Sequence, residues 1–213
     1  MQPSSNLAAQ KTECYFVAHG GFSLILESSS YNDQIIKITY NEAAKALYEY
    51  VIKHGPILGL PEVRVIPSTE RNHIGLDYLD IRRAIENTLD TGAACIVNSI
   101  TNNDKFLHKY GWFAIKHYKP VNCNHELSKV LESWETECVK NYNFTNFKEL
   151  EKMLQLFVKI VPEKWYYPSS LNHLRKIAAI VSEIHNSEVD FIPACNNIML
   201  DENNMIVFTD PFC

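Results

Sequence analysis

Asp190-Phe-Ile-Pro-Ala-Cys-Asn-Asn-Ile-Met-Leu-Asp-Glu-Asn-Asn-Met-Ile-Val-Phe-Thr-Asp-Pro-Phe-Cys213 is the stretch on which the reading of this chain turns. Asn197 opens a short apolar run, Ile198 to Leu200, and a polar turn follows, Asp201 to Asn204. A second apolar run, Met205 to Phe208, leads into Thr209-Asp210-Pro211. Two such runs around an Asn-rich turn read as a hairpin of short strands. That hairpin sets the Asn197 amide beside the Asp210 carboxylate at its open end. Hard cations choose oxygen ligands, so an amide and a carboxylate held together can share Mg²⁺. Asn and Asp are also ordinary turn residues, and the remainder of the chain has to decide between the two readings.

Working outward, the composition describes a folded domain. Of 213 residues, 46% are hydrophobic and 21% charged, enough for a real core in one domain or two closely packed lobes. The net charge of −5 gives no global pull toward nucleic acid. No run reaches the ~18 apolar residues of a membrane span. Residues 1–12 are polar, lack the apolar core of a secretory signal, and read as a flexible arm. The 6 cysteines include no Cys-x-x-Cys, so a reducing cytoplasm is the expected compartment. Cys123-Asn-His125 stands without a second pair at zinc spacing.

Toward the N-terminus, His19-Gly20-Gly21-Phe22-Ser23 separates two apolar runs, a strand, a turn and a strand. Glycines there make a hairpin turn, and they also let backbone amides approach a phosphate. No Walker lysine follows. Next comes Gln34-Ile-Ile-Lys-Ile38, a lysine inside a β-branched strand. Such a lysine either faces solvent on an edge strand or reaches toward phosphates. Asn41 is placed to cap a helix running to His54, with Gly55-Pro56 as its stop and Ala44, Leu47, Tyr48, Val51 and Ile52 as its apolar face. Glu42 and Glu49 are the carboxylates available to Lys37, and Glu49 is the preferred one.

Strands are expected at Leu60 to Ile66 and at Asn72 to Leu79, and a short helix at Asp80 to Thr88. Asp104 to Tyr118 is ambiguous. Three amphipathic helices follow. Asn124 caps the first, with Leu127, Val130, Leu131, Trp134 and Cys138 inward. Thr145 or Asn146 caps the second, which Pro162 stops, with Phe147, Leu150, Leu154, Phe157, Val158 and Val161 inward. The third opens at Ser169 or Ser170, with Leu171, Leu174, Ile177, Ala178, Val181 and Ile184 inward.

The order and spacing of His19-Gly-Gly-Phe-Ser23, Ile35-Ile-Lys-Ile38, Leu60-Pro-Glu-Val63, Asn197-Ile-Met199 and Thr209-Asp-Pro211 carry a resemblance. On these motifs the chain resembles the small protein kinases that T-seven-like podophages make early in infection. The resemblance covers residues 13–80 and 170–212.

It implies an α+β, two-lobed protein-kinase-like fold. A small antiparallel sheet forms the N-lobe (13–80), and a truncated helical C-lobe (81–213) carries the metal-site hairpin at 197–210. It implies an ATP-dependent serine/threonine kinase that modifies host proteins in the host-cell cytoplasm, with no membrane or nucleic-acid partner. By position, Lys37 contacts the α and β phosphates, with Glu49 as its partner. Gly20 and Gly21 cover the phosphates. Asn197 and Asp210 hold Mg²⁺, and the 76–79 segment, with Asp77 and Leu79, receives adenine.

The kinase pattern puts the catalytic Asp five positions before the metal-binding Asn, where Ile192 stands. Asp190, seven before Asn197, is the expected base, with Pro193 helping the loop bulge. Three residues follow Asp210, so no activation segment or peptide platform is expected. The competing reading is a pseudokinase that binds and inhibits a host protein, and a small-molecule phosphotransferase is a third.

Overall fold

A computed structural model describes residues 14–20, 23–39, 41–73, 111–142, 147–184 and 197–212. The fold is α+β. A meander opens it: β1 (Cys14–Gly20), β2 (Ser23–Ser28) and β3 (Gln34–Thr39) pair antiparallel in sequence order. Gly20 opposes Ser23, so the β1–β2 turn falls on the predicted glycine turn, and Gly21 itself lies outside the described residues.

Helix α1 (Glu42–His54) follows immediately. The Asn41 side chain accepts from the Ala43 amide at 2.8 Å and the Ala44 amide at 3.1 Å. These bonds satisfy donors that a helix N-terminus leaves open. Gly55 ends the helix at φ +81, a conformation that favours glycine. Ala44, Leu47, Tyr48 and Val51 are buried as expected, whereas Ile52 turns to solvent.

β4 (Val63–Val65) and α2 (Ser68–His73) come next. The strand expected at Asn72 begins inside that helix, and the helix expected from Asp80 lies outside the described residues. The ambiguous 104–118 segment supplies β5 (Gly111–Lys116), which inserts between β3 and β4 to give the order β1-β2-β3-β5-β4. The sheet therefore extends past the expected boundary at residue 80. A central strand has to carry apolar residues on both faces, and Trp112, Phe113, Ala114 and Ile115 are all buried.

Beyond β5 the chain is mainly helical: β6 (Lys119–Pro120), α3 (His125–Asn141), α4 (Phe147–Ile160) and α5 (Pro168–Ile184). Asn124 caps α3 by accepting from the Leu127 amide at 3.2 Å. Its buried stripe is Leu127, Leu131, Trp134 and Cys138. Trp134 packs edge-on against Phe157 of α4 at 5.0 Å, and its indole N–H donates to the Met153 carbonyl at 3.1 Å. Val158, expected inward, is exposed on the far side of α4.

A hairpin of β7 (Ile198–Leu200) and β8 (Ile206–Phe208) closes the fold, with β6 alongside β7. One continuous core runs from α1 and β5 through α3, α4 and α5 to Phe208 and Phe212. α1 meets α5 directly, where the Tyr50 hydroxyl lies 2.9 Å from His173 Nδ1. Among the described residues no helix is long and apolar enough to cross a membrane.

Candidate active site

The hairpin is built by its turn. Asp201 Oδ1 accepts from the amides of Asn203 and Met205, both at 2.9 Å, and Asn204 adopts φ 60. Asn tolerates that left-handed geometry better than most residues. The turn fixes the register, Ile198 opposite Phe208, so Asn197 and Thr209 meet at the open end. There the Asn197 carbonyl accepts from the Thr209 amide and hydroxyl, both at 3.0 Å, and from the Asp210 amide at 3.4 Å. Asn197 and Asp210 are thus adjacent through backbone bonding. The hairpin is anchored to the rest of the fold by the Phe208 amide, which donates to the Gly59 carbonyl at 3.0 Å. Tyr167 adds a bond from its hydroxyl to Asp201 Oδ2 at 2.8 Å.

Lys37 comes to this point from the sheet. In register it lies opposite Ile25 on β2 and Phe113 on β5. Cross-strand neighbours share a face, and Phe113 belongs to the core beneath α1, its ring 4.9 Å from that of Tyr48. The lysine face is therefore the one α1 covers, and Lys37 is 4% exposed. A buried ammonium needs a partner, and Lys37 Nζ donates to Asp210 Oδ2 at 2.5 Å. Nothing in the solvent-facing reading of Lys37 survives this geometry.

Tyr48 completes the group. Its ring centroid is 5.4 Å from Lys37 Nζ, and its hydroxyl donates to the Thr209 carbonyl at 3.3 Å. Burial opposes the Lys37 charge, but the oxygens of Tyr48 and Asp210 outweigh it and hold the lysine above its ordinary pKa. Burial pushes the Tyr48 phenol up to about 12. At neutral pH Tyr48 is therefore uncharged, and Asp210 supplies the charge that faces Lys37.

Glu49 and Glu42 do not meet Lys37. Each residue turns an α-helix by about 100°, so with Tyr48 inward Glu49 is outward, and it is exposed. Glu42 pairs instead with Lys45 at 2.8 Å on the surface. Tyr48 is the functional candidate that sequence reasoning missed, because its ring counted only as core. The available signal was its hydroxyl, since a buried phenol normally finds a hydrogen-bond partner.

Gly20 ends β1 at the same end of the sheet as Thr39, joined to it across Ser23, whose hydroxyl donates to that of Thr39 at 2.8 Å. Asp77, Leu79, Asp190 and Ile192 lie outside the described residues. So does the 76–79 segment expected to receive adenine. The chain leaves the sheet for the helices after β5, through His117-Tyr118.

Asp210 Oδ1 is buried and has no hydrogen-bond partner among the described residues. A buried carboxylate oxygen without a donor is costly, and it is the kind of atom a cation would satisfy. Among the described residues no three His, Cys, Asp or Glu side chains gather as a metal cage. Magnesium does not require one, since it keeps several waters and is held by one or two carboxylates plus substrate phosphates. The Asp210 carboxylate, with Asn197 bonded beside it through the backbone, offers oxygen donors that suit that mode and not zinc.

Two cavities lie elsewhere. One of about 350 Å³ is at the β2–β3 turn, beside Tyr31 and His117. One of about 100 Å³ is under Gly59 and Tyr167. Neither is lined by Lys37 or Asp210. Comparison of the chain with protein-family models, with curated proteins and with solved structures finds no match.

Proposed function

We propose that the chain is an ATP-dependent serine/threonine protein kinase of phage type, with a two-lobed kinase-like fold, acting on host proteins in the host-cell cytoplasm. The observation that carries this reading is the contact of Lys37 with Asp210 beside Asn197. Lys37 and Asp210, from opposite ends of the sequence, meet with Asn197 bonded beside Asp210 through the backbone, and each is the type that phosphoryl transfer uses at its place. Kinases set a lysine on the third strand toward the phosphates, an Asn of the catalytic loop on one Mg²⁺, and an Asp after the following strands on the other. Mg²⁺ held there would supply positive charge against the charge developing on the phosphates.

The chain's own residues then have definite tasks. Lys37 fixes the polyphosphate, and Asn197 and Asp210 hold the metal. Gly20, with Gly21, lets backbone come close above the phosphates. The 76–79 segment, with Asp77 and Leu79, receives the adenine. Asp190 orients the substrate hydroxyl, which is the main demand on a kinase base. Tyr48 stands where the strand lysine's acidic partner was expected, and holds the Thr209 carbonyl next to the metal-binding carboxylate.

The test is Mg-ATP titration by thermal shift, followed by transfer of the labelled γ-phosphate to host lysate. Lys37→Ala weakens ATP binding while leaving the fold intact. Asp190→Asn leaves Mg-ATP binding unchanged and lowers transfer by about a hundredfold or more. Asp210→Asn removes both. Wild-type protein that binds Mg-ATP and transfers nothing establishes the second reading, a pseudokinase that binds and inhibits a host protein. The exposed Glu49 favours that alternative, because it leaves Lys37 without its acidic helix partner. Wild-type protein that binds no Mg-ATP refutes the kinase reading.

A further inference from the structure

The Lys37 ammonium engages the carboxylate that the magnesium reading assigns to a metal. It is 2.5 Å from one oxygen of Asp210, while the other oxygen is buried and unpartnered among the described residues. The carboxylate thus has capacity for more positive charge than it receives. Yet the lysine cannot simply share it. A divalent ion on the same carboxylate meets the ammonium as a like charge at close range. The lysine side chain is 5% exposed, too buried for water or salt to screen that repulsion. Tyr48 offers the ammonium a second resting surface, its ring face at 5.4 Å, with no negative charge at neutral pH.

We propose that Lys37 is a built-in counter-cation of Asp210, which admits a divalent ion only when a polyphosphate draws the ammonium away. One group then reports whether the site is loaded: Lys37 neutralises Asp210 in the empty site and the phosphates in the filled one. Metal and polyphosphate bind with positive coupling, each removing the obstacle to the other. The inference rests on the magnesium reading of Asp210, and not on phosphate transfer.

The test uses the full chain and Mn²⁺ as probe, with free Mn²⁺ counted by electron paramagnetic resonance at neutral pH without nucleotide. Lys37→Met and Lys37→Gln are expected to bind Mn²⁺ about tenfold tighter or more than wild type. Asp210→Asn in the Lys37→Met background should abolish the gain. Folded Lys37 variants that bind Mn²⁺ no tighter than wild type overturn the proposal.

A second arm needs no substitution. Mg²⁺ alone leaves the wild-type melting temperature unchanged, whereas Mg²⁺ with a non-hydrolysable ATP analogue, or with inorganic tripolyphosphate, raises it. A rise with Mg²⁺ alone overturns the proposal even if neither variant folds. Tightened Mn²⁺ binding in Lys37→Met, with no response of wild type to the ATP analogue, keeps the counter-cation and refutes the nucleotide reading. The reverse pattern keeps nucleotide binding and refutes the counter-cation.

Discussion

Replacing Asp210 by Asn destabilises the fold more than replacing Lys37 by Met. The side chains of the pair are unequally exposed, 5% for Lys37 and 29% for Asp210. Removing one member of a buried pair leaves the other as an uncompensated charge, at about 3–5 kcal/mol. In Asp210→Asn the stranded charge is the deeply buried ammonium. The amide oxygen can still accept from it, which brings the expected loss to about 2–3 kcal/mol. In Lys37→Met the stranded charge is a carboxylate with one buried oxygen but a partly exposed side chain, and the apolar stem is retained, so about 1–2 kcal/mol is expected.

For a chain of this size the Asp210→Asn loss corresponds to roughly 4–12 °C in Tm. Urea denaturation at neutral pH measures both variants. The pH dependence follows from linkage. In wild type the folded Lys37 pKa is raised, so its contribution is complete below the ordinary lysine value of about 10.4 and is lost only above it. In Asp210→Asn the lysine is buried without its counter-charge, so its folded pKa falls below the unfolded one. The unfolded state then holds more protons, and stability rises with pH. The deficit of the variant should shrink as pH is raised from about 7 to about 10. Equal stability of the two variants, or a deficit independent of pH, refutes this account of the pair.

Other substitutions probe the supports of the site. Tyr48→Phe keeps the ring on Phe113 but loses both the bond to the Thr209 carbonyl and the phenol oxygen that faces Lys37, so a loss of about 0.5–1.5 kcal/mol is expected by urea denaturation. Gly59→Ala is expected to lose more than about 1 kcal/mol, because its Cβ would come 2.7 Å from Ser170 Cβ at a backbone φ of +81. Trp134→Ala opens the centre of the helical core and removes the bond to Met153, an expected loss of about 3–5 kcal/mol. Hydrogen bonds from Arg64 and Tyr31 hold Glu70 down at about 2, so its contribution is present above its ordinary value and lost as pH falls toward about 2. Glu70→Gln should flatten that acid limb in a pH series of melting curves.

The parts that were legible in the sequence share a reason. α3 was readable because Leu127, Leu131, Trp134 and Cys138 recur at helical spacing with Asn124 ahead of them. Lys37 was readable because a lysine inside a β-branched strand needs an explanation, and Asp210 because a hairpin's turn chemistry fixes what meets at its base. β5 was not readable. Four apolar residues in a row, Trp112 to Ile115, fit a buried strand or a helix segment equally well. The choice is made by β3 and β4 on either side, which are distant in sequence. Spacing from Lys37 points to Glu49, whereas the packing of Leu47, Tyr48 and Val51 fixes which face of α1 turns inward. Once those three are buried, Glu49 has to be outside, whereas Ile52, one turn on from Tyr48, sits at the edge of that face and is left exposed.

Lys37 and Asp210 are 173 positions apart in the chain. Joining them closes a loop of nearly the whole sequence, and the entropy of that closure has to be met by contacts formed along the way. β3 must first find β5, and the hairpin must find the Gly59 carbonyl, before the ammonium can meet its counter-charge. Contacts of this range form slowly. The ion pair is therefore a late event in folding, and a probe on it would time the completion of the tertiary structure rather than its onset.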